Sequence, residues 1–313
     1  MNGKMDCCGD THVGLRRATN EDQFLIAELN KSMRVLQTSL GLDHRTRMFG
    51  TSQGKLMLVA DGMGGHEAGE RASQLAVDSV VTYVLNTMQW FFRFDAENDQ
   101  EVREELCASL LHCQKMLADE VDSLPQRHGM GTTLTMAYLL WPRLYLVHVG
   151  DSRCYLLRGG KLRQITRDHT LAQLSKEASG ETDPDPDADE DEGPRASGSN
   201  SLWNVISASD DHLSPEIYTA ELQLGDALLL CTDGLYKHVR RQRLAEVLQS
   251  GRSSQQICQA LIDEANNDGG SDNITVVAAR FCEVTGDECE DVAHASDELE
   301  IALGLEEHSR VRS

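Results

Sequence analysis

The sequence has no dense cluster of lysine and arginine: 29 basic residues face 51 acidic ones over 313 residues, a formal net charge of -22. Without such a cluster to neutralise phosphates, nucleic-acid binding through a basic face is not expected. CxxC pairs are absent as well. The nine cysteines (Cys7, Cys8, Cys107, Cys113, Cys154, Cys231, Cys258, Cys282, Cys289) show no ligand spacing, and the adjacent Cys7 and Cys8 have no second pair to complete a metal centre. Several lie in apolar runs where a thiol behaves as a small hydrophobe, which fits a reduced, intracellular protein. No apolar run approaches the roughly 18 residues of a membrane span, no signal peptide opens the chain and no internal repeat is visible, so a soluble cytoplasmic protein is expected.

The acidity that is present is unevenly spread. Glu177 to Arg195 holds nine acids against one base, and Glu283 to Ser313 holds ten acids and two arginines; together they carry -16 of the -22. The run from Glu181 to Ser201 has no apolar residue beyond alanine and reads as a mobile acidic loop inside a domain, since strand-like segments resume after it. The acidic tail beyond Cys282 reads as a solvated appendage, with Leu299, Ile301, Leu303 and Leu305 as its few large apolar groups. The expected organisation is one domain over 1–282 and a tail over 283–313.

The chain is organised around Leu56 to Ser73. An apolar run (Leu56, Met57, Leu58, Val59, Ala60) meets a carboxylate at Asp61, turns through Gly62, Gly64 and Gly65, and enters a helix. A carboxylate is thereby delivered at the end of a buried strand, beside backbone bare enough for an ion or phosphate to approach. Asp followed by Gly is by itself an ordinary turn. The pattern recurs, however: Asp233 follows Leu228, Leu229 and Leu230, and Asp151 follows Leu146, Val147 and Val149. Strand-end carboxylates this far apart in sequence point to one acidic cluster built from several strands.

Before this stretch, Arg16, Arg17, Asn20, Glu21 and Asp22 precede apolar Phe24, Leu25 and Ile26. They suit either a metal shell with a phosphate clamp or a solvated turn. After it, Glu67 to Phe94 reads as a helix with a stripe through Ala72, Leu75, Ala76, Val80, Tyr83, Val84 and Thr87. Trp90, Phe91 and Phe92 read as closing the core. A second helix is expected after the start signals Asn98 and Asp99, with Val102, Leu106, Leu110, Cys113 and Leu117 inward. From Gly131 the period shortens: GTTLTMAYLLW and RLYLVHVGDS flank a turn at Pro142, and CYLLRGGKLRQIT turns at Gly159 and Gly160, so antiparallel neighbours are expected. EIYTAEL and DALLLCTDG are further strands. Helices are expected over 241–249 and 253–266, then a last strand opening at Asp272 and Asn273. Helices covering the outside of β-sheet layers make this an α+β chain.

Taken in order, NEDQF, DGMGGHEAGE, GTT, GDSR, TDGL and SDN span Thr11 to Phe281. This resembles the metal-dependent protein serine/threonine phosphatases of type 2C, in wording closest to the bacterial members with DGMGGH. The resemblance implies a four-layer αββα sandwich, two antiparallel sheets flanked by helix pairs, with two Mn²⁺ or Mg²⁺ ions at one edge. It implies that Asp61 bridges both ions, that the carbonyl of Gly62 is a ligand, that Asp233 and Asp272 complete the first ion's protein ligands, and that Glu21 and Asp22 hold the second directly or through water. Arg17 matches the phosphate-binding arginine. On that reading Arg17, Asp22 and Asp61 serve catalysis, and the substrates are phosphorylated proteins, the products of a serine/threonine kinase, attacked by a monomeric enzyme. Hard ions taking oxygen ligands fit such a set without His or Cys, and paired ions lower the pKa of a shared water.

Three departures qualify the match. Met63 stands where many eukaryotic members have a histidine acid, and His66 reads as a helix-start residue. Lys237 stands where the family often has another Asp, which weakens a third ion site at Asp151. The acidic run 181–201 replaces the flap that governs substrate choice; its charge favours basic phosphopeptides. The competing expectations are a phosphatase-like regulatory module that binds a phosphoprotein or partner without turnover, and a two-metal nuclease, which the missing basic groove disfavours.

Overall fold

The computed structural model describes residues 3–35, 37, 47–64, 67–88, 99–179, 201–208 and 213–283. Gly65, His66, Trp90, Phe91, Phe92, Asn98, the acidic run over 181–200 and the tail from 284 onward lie outside the described residues. Two antiparallel sheets form the centre. The first orders β1 (Gly3–His12), β12 (Ile274–Glu283), β11 (Ala227–Cys231), β7 (Arg153–Arg158) and β8 (Lys161–Gln164). The second orders β10 (Glu216–Glu221), β6 (Arg143–Val149), β5 (Leu134–Leu140), β3 (Arg47–Met63), β4 (Gly131–Thr132) and β9 (Ile206–Ser207), with β2 (Asp22–Arg34) paired to β3.

The continuous apolar runs of the sequence follow from burial on both strand faces. Along β3, Leu56, Leu58 and Ala60 face the helices α1 (Glu67–Asn86) and α2 (Asp99–Ser123), whereas Met57 and Val59 face the other sheet. On β11, Leu229 and Cys231 pack toward α5 (Arg241–Gln249) and α6 (Ser254–Asn267), while Leu228 and Leu230 join the layer between the sheets. Alternate side chains thus enter different cores, and neither face can be polar. Three stacked cores make the four layers that the motifs implied.

Several element boundaries differ from expectation. The first helix stops at Asn86 rather than Phe94: Thr87 N–H makes a helical bond to the Tyr83 carbonyl at 2.9 Å, and Met88 N–H then reaches back five residues to the same oxygen at 3.1 Å. Thr87 is exposed, and the buried stripe passes instead from Val84 to Met88. The last strand begins at Ile274, two residues after Asp272, which leaves that acid in a loop. Asp233 opens a one-turn helix, α4 (Asp233–Tyr236), rather than ending its strand. Elements that were not expected include β1, which carries Cys7 and Cys8, α3 (Leu171–Ala178), capped by Thr170, and the short β9. The eight described cysteines are all free. Among the described residues no helix is long and apolar enough to cross a membrane.

Candidate metal and phosphoryl site

Strand direction gathers the acids. β2 starts where its antiparallel partner β3 ends, so Asp22 and Asp61 stand directly opposite in register. The β6–β7 turn brings Asp151, the β11–α4 junction brings Asp233, and the loop before β12 brings Asp272 to the same end of the sheets. Like charges paired across strands are destabilising, so this end is built against its own stability.

The electrostatics agree. Burial pushes Asp61 well above the ordinary carboxylate range, and the charges of Asp22, Asp233, Asp151 and Asp272 push it further. Asp22 is raised to about 7, first by burial and then by Asp233 and Asp272, against the pull of hydroxyl hydrogen bonds. Asp151 is raised to about 7 by burial, then by Asp233 and Asp168. The charges of Asp22, Asp151, Asp233 and Asp272 thus all reach Asp61.

Three of the acids, Asp61, Asp22 and Asp151, are gripped by neutral neighbours. Asp61 N–H donates to Thr133 Oγ1 at 3.1 Å, and its carbonyl accepts from Thr133 N–H and Thr132 Oγ1, both at 2.9 Å. Thr232 Oγ1 donates to Asp22 Oδ2 at 2.7 Å, and the Tyr236 hydroxyl donates to the Asp151 carbonyl at 3.0 Å. Arg153, bidentate to Asp168, lies 3.7 Å over the Tyr236 ring and fixes it from behind. Asn273 ties the loop of Arg17 and Glu21 to the loop of Asp272: its Nδ2 donates to the Val13 and Thr19 carbonyls, both at 2.9 Å, and its Oδ1 accepts from Glu21 N–H at 2.8 Å. Sequence reasoning named the acids and passed over Thr133, Thr232, Tyr236, Arg153 and Asn273. All five lie in or beside GTT, GDSR, TDGL and SDN, but those motifs alone do not tell a supporting Thr or Asn from an ordinary turn residue.

Glycine is required where backbones touch. A Cβ on Gly62 would sit 2.1 Å from the Gly69 carbonyl oxygen and 2.8 Å from that of Glu21. Gly62 N–H also donates to the Glu21 carbonyl at 3.2 Å, so Glu21 and Gly62 belong to the same wall of the site.

Two cations complete it. Arg17 forks onto Asp272, Nε to Oδ1 and an Nη to Oδ2, each at 2.8 Å, and remains half exposed at the mouth. Lys237 Nζ pairs with Asp233 Oδ2. With those oxygens drawn to Arg17, Lys237 and Thr232, no three His, Cys, Asp or Glu side chains among the described residues are placed to hold an ion as they stand. What fits a hard cation is the donor chemistry, all oxygen, together with two buried carboxylate oxygens, Asp22 Oδ1 and Asp233 Oδ1, that have no hydrogen-bond partner.

Comparison with known proteins places these features. The model of the family described as protein phosphatase 2C matches residues 40–273. The serine/threonine protein phosphatase PstP of Mycobacterium tuberculosis is 36% identical over 72% of this chain, which spans 40% of that protein's length. The serine/threonine phosphatase of Listeria monocytogenes (strain EGD-e) is 33% identical over 71% of this chain and 82% of its own. A crystal structure of the PstP catalytic domain in complex with two manganese ions is 30% identical, covers 89% of this chain and 99% of that one, and superposes with a TM-score of 0.66. By its matched span and by relatives alike across most of their length, the chain belongs to the protein phosphatase 2C family.

Proposed function

We propose that this chain is a metal-dependent phosphatase that hydrolyses phosphoserine and phosphothreonine in proteins. The observation that carries the reading is the convergence of five carboxylates from separate segments of the chain, two of them with a buried orphan oxygen. Asp61, the Gly62 carbonyl, Asp233 and Asp272, with Glu21 and Asp22, are the groups to hold two Mn²⁺ or Mg²⁺ ions, and the manganese of the PstP structure supports that choice. When bound, such ions supply Lewis acidity and lower the pKa of water toward neutrality.

The chain's own residues do the rest. Arg17, half exposed with a planar fork, is the group to bind phosphoryl oxygens bidentately, which a lysine does less well. Thr132 and Thr133 hold the backbone of Asp61, and Thr232 orients Asp22, so the carboxylates meet substrate preorganised. At the sheet ends, Arg17 and Asp272 remain partly exposed, which leaves the site open to a phosphorylated side chain on a protein surface. The substrates are products of a serine/threonine kinase, the enzyme is a cytoplasmic monomer, and residues 1–282 form its catalytic unit with 283–313 as a tail; the names of the relatives support the substrate class.

The test is hydrolysis of a phosphothreonine peptide with and without Mn²⁺, beside Asp233→Asn. Turnover should require the ion and fall by about 10²-fold or more in the variant. Peptide binding without turnover would move the assignment to a regulatory module.

A further inference from the structure

α4 is a single turn, and its geometry returns Lys237 onto the residue that opens it. Lys237 N–H donates to the Asp233 carbonyl at 3.1 Å, and four residues of helical spacing bring Nζ onto Asp233 Oδ2. The other oxygen, Oδ1, is buried without a partner. Asp233 therefore divides its two oxygens between an ammonium ion and a position that no donor among the described residues fills. The lysine is set well into the wall, its side chain 29% exposed.

Lys237 Nζ meets Asp233 directly, and the charges of Asp151 and Asp272 also act on it. Its neighbours are three of the five clustered acids. The ammonium of Lys237 thus offsets part of the repulsion within the acid cluster, as Arg17 does at Asp272, and removing it leaves Asp233 uncompensated.

We propose that Lys237 is a built-in cation that competes with a divalent ion for Asp233, so that this lysine sets the ion concentration at which the site fills. The inference rests on the metal-site reading above and deepens it. A carboxylate oxygen can take an ammonium hydrogen or ligate an ion, and a fixed positive charge beside a dication opposes its entry. Lys237 stabilises the ion-free protein and weakens ion affinity by the same interaction, which is a linkage and must show in both quantities.

Calorimetric titration with Mn²⁺ of chelator-treated full chain, in wild type and Lys237→Met, tests this, with thermal unfolding of each protein before and after loading. Lys237→Met keeps the apolar stem and deletes the charge. The variant should bind Mn²⁺ about tenfold more tightly, unfold at a lower temperature than wild type when ion-free, and regain the difference when loaded. Lys237→Gln, which retains an N–H donor for Asp233, should also bind more tightly and serves if Lys237→Met does not fold. Equal Mn²⁺ affinities in wild type and the neutral variants overturn the inference alone. Absence of binding by every protein overturns the metal-site reading and takes the inference with it.

Discussion

His148 shows how one buried side chain ties the stability of this fold to pH. It lies in the interior of β6, where Nε2 donates to the Arg167 carbonyl at 2.9 Å and Nδ1 faces the Thr135 hydroxyl at 2.9 Å. The His169 ring packs on it at 4.8 Å between centroids. Burial, and secondarily His169, brings its pKa down to about 4, with Asp168, the Arg167 carbonyl and Glu216 pulling weakly the other way. The folded state thus holds the neutral ring, while the unfolded chain takes up a proton near pH 6.5. Its contribution is complete above pH 6.5, declines as pH falls toward 4, and is gone below that. A separation of this size corresponds to about 3 kcal/mol at most. Urea unfolding of wild type and His148→Gln from pH 7.5 to 4.5 should show the wild type losing stability faster by that order; parallel curves would remove His148 from the account.

At the level of elements, the site depends on loops locked through their backbones. A Cβ on Gly234 would lie 2.0 Å from the Asn273 carbonyl oxygen, so α4 and the loop before β12 are in contact with no room for a side chain. Gly234→Ala should cost about 1–3 kcal/mol of stability, as overpacking does, and lower turnover by displacing Asp233 from Asp272. Asn273→Ala removes three hydrogen bonds that join the Val13–Glu21 loop to the Asp272 loop, at about 1 kcal/mol each. Its melting temperature should fall, and with Arg17 and Glu21 less firmly placed, KM for phosphopeptide should rise more than kcat falls. An unchanged KM would show that the clip serves stability alone.

These same elements explain what the sequence disclosed. The inner strands β3, β5, β11 and β12 were legible because burial on two faces leaves unbroken apolar runs, and α2 because Val102, Leu106, Leu110, Cys113 and Leu117 repeat at helical spacing and are all buried. β1 was not legible. GKMDCCGDTH has few strand formers, and the strand sits at a sheet edge, paired through β12 alone. The acids of the site could be named because a carboxylate after an apolar run is conspicuous. Thr232 and Asn273 could not, since a Thr or Asn beside an Asp looks like turn chemistry, and their partners lie some 200 residues away or more.

Across the whole molecule the governing quantity is charge. The chain carries -22, most of it in two segments, and at the site both Arg17 and Lys237 are already committed to Asp272 and Asp233. On the proposed function, an incoming phosphopeptide would meet a negative field that repels its phosphoryl group, with Arg17 at the mouth of the site as the cation placed to receive it. Basic flanking residues on the peptide offset this repulsion, whereas acidic ones add to it. At low salt a phosphothreonine peptide flanked by lysines should have kcat/KM about tenfold above an acidic counterpart of equal length. The advantage should shrink as the screening length falls from about 10 Å at 0.1 M to about 3 Å at 1 M salt. Replacing the acids of residues 181–201 with serine and glycine should narrow the gap at low salt and leave the high-salt rates alone, because it removes long-range charge without touching Asp61, Asp233 or Asp272. If the acidic peptide were preferred, or the preference were indifferent to salt, selection would have to arise from contacts at the mouth of the site around Arg17 rather than from the field of the molecule.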